Sequence, residues 1–92
     1  VSSKRSLLVL ARRDHTEAMR VAAGLTIFGH RVRLVFMHRP VAETAENAAM
    51  AELLALSDIT PETTVPEQAD LPFLDAAALG EAVAGVDAVI NL

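Results

Sequence analysis

A chain of 92 residues, 52% hydrophobic, without cysteine and with a formal net charge of −4, is long enough for one domain with a single modest core. The missing thiols exclude disulfide frameworks, thiolate metal sites and cysteine nucleophiles, and the acidic balance argues against a nucleic-acid partner, which needs a broad basic surface. No apolar run approaches the ~18 residues of a membrane-spanning helix, and Val1 to Lys4 has no secretory pattern, so a cytoplasmic protein with no membrane partner is expected.

Residues Ser6 to Ala11 read Ser-Leu-Leu-Val-Leu-Ala, nearly continuously apolar, which predicts a strand buried on both faces, as in a parallel sheet. Asp14 or Thr16 is placed to cap the following helix by accepting a bond from a free amide. Ala18, Val21, Ala22, Leu25 and Phe28 recur along it at helical spacing and should face the sheet. Gly29 ends the helix, because glycine takes the left-handed conformation at little cost. Gly24, inside the helix, suggests close packing against a strand. The second strand covers Arg31 to Met37, with Val32, Leu34 and Phe36 pointing one way, Val35 and Met37 the other, and Pro40 stopping it. Strand, helix and strand together imply a right-handed parallel crossover.

A second helix is expected from Ala42 to Leu56, with Met50, Leu53 and Leu54 on one side and Ala45, Ala48, Ala49 and Leu56 on another. Two apolar sides suit a helix held between its own sheet and a second subunit; equally, the alanines serve as strong helix formers facing water. Ser57 to Pro72 is irregular, with a short strand at Thr63 to Val65. A third helix follows from Asp75 to Ala84, with Ala76, Leu79 and Val83 inward and Gly85 as its stop, and Val86 to Leu92 makes the last strand. The expected fold is α/β: a single three-layer αβα domain over residues 1–92 with a mainly parallel four-stranded sheet in the order 2-1-3-4. Hydrophobic content and a mean hydropathy of +0.36 are high for a small monomer, which points to a homo-oligomer sharing apolar surface.

All eight lysines and arginines and all three histidines lie before Pro40, with only Asp14 and Glu17 as acids among them. The remainder carries ten acids and no base, so the two parts sum to +6 and −10 and the fold should be electrically two-ended. In an open parallel sheet, ligands bind beyond the carboxyl ends of the strands. The first strand ends at Arg12, Arg13, Asp14 and His15, and the second at His38 and Arg39. If the two strands are neighbours, these six form one rim, and the amides opening the first helix point there too, which favours a small anion. The same residues fit a solvated rim whose arginines pair with Asp14, Glu17 or Glu43, or a salt-bridged contact between subunits. His15 and His38 are candidates for acid and base, the usual work of imidazole at neutral pH. Glu46 and Asn47 are placed to reach the same rim. No nucleophile is evident beside these histidines, and the chain has no glycine-rich phosphate loop, nucleophile-elbow serine or paired-histidine helix. No catalytic residue, metal site or cofactor is assigned.

The stretch Lys4 to Asp14, then Ala18 to Leu25, then Phe28-Gly-His-Arg-Val-Arg-Leu-Val-Phe-Met, resembles the DsrE/DsrF-like family of small sulfur-relay proteins. The resemblance is clearest over residues 5–40. It implies a compact flavodoxin-like α/β fold, assembly as dimers, trimers or hexamers, and persulfide transfer through a cysteine. With no cysteine here, no catalytic residue carries over. The resemblance therefore implies a non-catalytic relative, a self-associating binding or assembly module in sulfur metabolism. The alternative is a small enzyme or sensor that takes a phosphorylated or sulfur-oxyanion ligand at the basic rim.

Overall fold

A computed structural model describes residues 5–92; the opening stretch through Lys4 lies outside them. The apolar run forms β1 (Ser6–Ala11), and being apolar on both faces it takes an interior place in the sheet, hydrogen-bonded on both sides. In chain order there follow α1 (His15–Ile27), β2 (Arg31–Phe36), α2 (Ala45–Leu56), β3 (Glu62–Thr63), α3 (Ala76–Ala84) and β4 (Ala88–Asn91). All pairings are parallel.

The strand order is β3-β2-β1-β4, not the expected 2-1-3-4. That expectation placed the third strand in the interior. β3 has two residues between Pro61 and Pro66, and such a segment cannot fill a central position. It adds outside β2, while the longer, apolar β4 joins β1. Right-handed crossovers then decide the layers. The first two connections move the same way and leave α1 and α2 on one face, against Val9, Ala11, Leu34 and Phe36. The third returns across the sheet and puts α3 on the other face, against Leu8, Leu10 and Val35. Three layers result, with two helices over one face and one over the other.

α1 starts at Asp14, whose Oδ1 accepts the Glu17 N–H at 3.0 Å; Thr16 is not the cap. Ala18, Met19, Ala22 and Ala23 are buried. Phe28, expected inward, is 81% exposed, because the helix ends at Ile27 and Gly29, at φ +91°, turns the chain away. A Cβ added at Gly24 would meet nothing within 4 Å, so close packing does not explain that glycine. α2 begins at Ala45 rather than Ala42, capped by Thr44, whose Oγ1 accepts the Asn47 N–H at 3.0 Å. Leu54 is buried, Met50 and Leu53 pack beside it, and Ala45, Ala48, Ala49 and Leu56 are exposed. α3 is seated by Ala82 and Leu79. Ala76 and Val83, expected inward, are exposed, since a helix of almost uniformly small apolar residues has no period to choose its face. No described helix is long and apolar enough to cross a membrane.

The contrast within α2 is measurable. Leu54→Ala should cost about 2–5 kcal/mol in a denaturant titration, while Leu56→Ala, at a position 84% exposed, should stay within about 0.5 kcal/mol of the parent. Equal losses at both positions would contradict the packing of α2.

Candidate functional site

β1 and β2 pair in register from Ser6 with Arg31 to Ala11 with Phe36, so their carboxyl ends emerge side by side. Arg12 and Arg13 leave one, His38 and Arg39 the other. The Met37 carbonyl joins the two loops: it accepts the Arg39 N–H at 2.9 Å and faces His15 Nε2 at 3.1 Å. The bond from Arg39 N–H back to Met37 closes a three-residue turn around His38, which sits at φ +74°. This is the strained form of γ-turn, rare for residues with a side chain. It directs the Arg39 guanidinium back across β1, where Nη1 donates to the Arg12 carbonyl at 3.3 Å and Nη2 to the Arg13 carbonyl. Arg12 Nε approaches His38 Nε2 at 3.4 Å. The expected convergence is therefore present for Arg12, Arg13, His38 and Arg39.

His15 and Asp14 belong to the same corner but play other parts. Asp14 is turned to cap α1. His15 is 5% exposed and lies under the rim, its ring centroid 5.1 Å from that of Phe36. Burial lowers its pKa below 6.5, and the Arg39 charge acts in the same direction; the Met37 and Ala11 carbonyls and Asp14 oppose the shift. The ring is thus neutral near pH 7, with Nε2–H as donor to Met37. Just before α1 the Arg13 and Asp14 amides donate to the Leu92 carbonyl at 3.1 and 3.0 Å, and within its first turn the Glu17 amide is taken by Asp14, so fewer amides are free at this corner than the sequence suggests.

Thr16 and Asn47 complete the corner. Asn47 is buried in the first turn of α2; its Oδ1 accepts from the Thr16 hydroxyl and its Nδ2 donates to the Ala42 carbonyl at 2.8 Å. This side chain ties the starts of α1 and α2 together. Thr16 was missed as a site residue because it competes with Asp14 as a cap in the sequence; losing that competition frees its hydroxyl for Asn47. A cavity of about 260 Å³ opens between the two helix starts, with Arg13, His15, Thr16, Arg39 and Asn47 among its walls. On the far side of Arg13 a cleft of about 320 Å³ lies between the ends of β1 and β4, lined by Arg12, Arg13, Asn91 and Leu92. This cleft lies beyond the carboxyl ends of two adjacent parallel strands, the edge of the sheet at which open α/β folds hold ligands.

Among the described residues the ion pairs are Arg20 with Glu17, at 2.6 Å, and Arg33 with Glu62, at 3.0 Å, and neither is on this rim. Pairing of the rim arginines with Asp14, Glu17 or Glu43 is thus not what the structure contains. Nor is positive charge confined to this edge: Arg5, His30, Arg31 and Arg33 stand at the amino ends of the same strands, so the expected two-ended molecule has cations at both ends of β1 and β2. No group of three His, Asp or Glu side chains converges as a metal site among the described residues.

No family model matches the chain, and searches of curated proteins and of solved structures returned no significant match.

The lowered His15 pKa has a definite sign. The unfolded chain binds a proton near pH 6.5 and the folded one only at lower pH, so stability is retained above pH 6.5 and lost as pH falls below it toward the folded value. Denaturant midpoints measured from pH 7.5 to 5 should decline for the parent and decline less for His15→Gln, which keeps a donor for Met37 but does not titrate. Parallel curves would mean that His15 is solvated.

Proposed function

We propose that the chain is a non-catalytic, cytoplasmic binding module of the DsrE-like type that takes a small oxyanion, phosphate-like or sulfur-derived, at the carboxyl edge of its sheet. The observation that carries this reading is the convergence of Arg12, Arg13 and Arg39, none of them in an ion pair, around clefts at the ends of β1, β2 and β4. Guanidinium groups present paired donors that match the oxygens of such an anion. Arg39, already holding two backbone carbonyls, fixes the floor, and Arg13, which borders both clefts, is the principal contact. A space near 260 Å³ suits an inorganic oxyanion or a small phosphate ester better than a dinucleotide. His15 is buried beneath and oriented by a carbonyl, so it supports the site without acting as acid or base.

A second reading, self-association, is favoured by a different observation. β4 is apolar on both faces, yet Ala88, Val89 and Ile90 are only half-buried in the single chain. The likeness of residues 5–40 to the DsrE/DsrF-like pattern accords with both readings.

Inorganic phosphate tests the first. At about ten times its Kd a ligand adds about 1.4 kcal/mol, which in a domain of this size raises Tm by about 5–10 °C. Phosphate also stabilises proteins generally, by exclusion from their surface, so the informative quantity is the difference between the parent and Arg13→Ala/Arg39→Ala. The parent should show the larger, saturable shift. Identical shifts would place any anion site elsewhere.

A further inference from the structure

The backbone at His38 differs from the other left-handed positions. Among the described residues φ is positive at Gly29, His38 and Asp58. Gly29 and Asp58 follow the ends of α1 and α2, the ordinary place for a left-handed residue. His38 follows a strand. Its φ of +74° is combined with the bond from Arg39 N–H to the Met37 carbonyl at 2.9 Å, a turn that residues with a side chain rarely adopt. The exposed imidazole does not explain it: its hydrogen-bond partner among the described residues is Arg12 Nε, at a long 3.4 Å.

The turn changes the side of the sheet that Arg39 serves. Along β2, Val32, Leu34 and Phe36 pack toward α1 and α2, whereas Val35 and, just beyond the strand, Met37 pack toward α3. Alternation continued two residues further puts Arg39 on the α3 face with Val35 and Met37. Instead Arg39 lines the cavity between the starts of α1 and α2, beside Thr16 and Asn47, and its guanidinium lies on the Arg12 and Arg13 carbonyls. Pro40 biases Arg39 itself toward extended backbone, which leaves the change of side to His38. Both ends of the turn are pinned. His15 Nε2 holds the Met37 carbonyl at 3.1 Å. Past Pro40 the Val41 N–H donates to Gln68 Oε1 at 2.7 Å, and the Ala42 carbonyl accepts from Asn47 Nδ2 at 2.8 Å. A rare conformation held from both sides, whose effect is to aim one guanidinium, is the pattern of strain kept for function.

We propose that His38 is the positioning residue of the anion site and acts through its backbone rather than its imidazole: the turn it closes brings the Arg39 guanidinium from the α3 side of the sheet to the oxyanion cavity. This rests on the oxyanion reading above and assigns what orders its donors. The position then requires tolerance of positive φ, not a ring nitrogen. Glycine meets that requirement without steric cost, and a β-branched residue does not.

Inorganic phosphate titrated into the full chain, with amide shifts followed by NMR, gives the dissociation constants that decide this. His38→Gly should bind within about twofold of the parent although it has no imidazole. His38→Val should bind roughly tenfold more weakly, the effect of misplacing a charge-assisted donor, and Arg39→Ala should lose a similar factor. In the Arg39→Ala background, His38→Val should change affinity by less than about twofold, because both act through one guanidinium. Circular dichroism checks that each variant is folded, and His38→Thr replaces His38→Val if the latter is not. A β-branched variant that binds like the parent, or that adds its full loss to that of Arg39→Ala, would overturn the proposal. So would a His38→Gly variant as weak as Arg39→Ala, which would make the imidazole the contact. A parent with no saturable phosphate binding would overturn the oxyanion reading as well.

Discussion

Burial of β1 on both faces is the constraint from which the rest of the site follows. Leu8 and Leu10 meet the α3 side, Val9 and Ala11 meet α1 and α2, and the strand pairs with β2 on one flank and β4 on the other. Its carboxyl end is therefore adjacent to two other strand ends at once. Arg12 and Arg13 leave β1 between His38 and Arg39 on one side and Asn91 and Leu92 on the other. Were β1 an edge strand, only one of these neighbourhoods would exist. The strained turn at His38 is maintained by what surrounds it: a carbonyl with two donors and a guanidinium anchored on two further carbonyls hold a conformation of order 1–3 kcal/mol above the ordinary ones.

Electrostatically the corner is unfinished. The starts of α1 and α2 each place partial positive charge there, three guanidinium groups add to it, and the local acid, Asp14, is turned to its own helix. Exposure makes this tolerable, since water and salt weaken repulsion between the arginines. The same exposure leaves the donors open to an anion. At the other end of the strands the situation differs. Arg33 is held by Glu62, and the nearby cleft mixes Arg31 with Glu81, so positive and negative charge already offset one another.

How much of this could be read from residues alone depended on whether a single local signal decided the matter. β1, the end of α1 at Gly29 and the start of β2 were legible because each rests on an apolar run or a glycine with one sensible conformation. The juxtaposition of Arg12 and Arg13 with Arg39 followed from two adjacent parallel strands. Strand order was misjudged because the weakness of β3 is a matter of length and flanking prolines, whose consequence appears only when strands compete for the interior. The inward face of α3 was illegible in principle: Ala76, Ala77, Ala78, Ala82 and Ala84 offer no contrast. The tie from Thr16 to Asn47 depends on which of two cap candidates wins, and the engagement of the Arg13 and Asp14 amides depends on the carbonyl of Leu92, far along the chain.

Arg13 links the two spaces at this corner. It lines both the cavity between the starts of α1 and α2 and the cleft at the ends of β1 and β4, while its backbone is fixed by the bond from its N–H to the Leu92 carbonyl. The anchored backbone and the long side chain together place one guanidinium at the border of two clefts, so its loss removes positive charge from both at once.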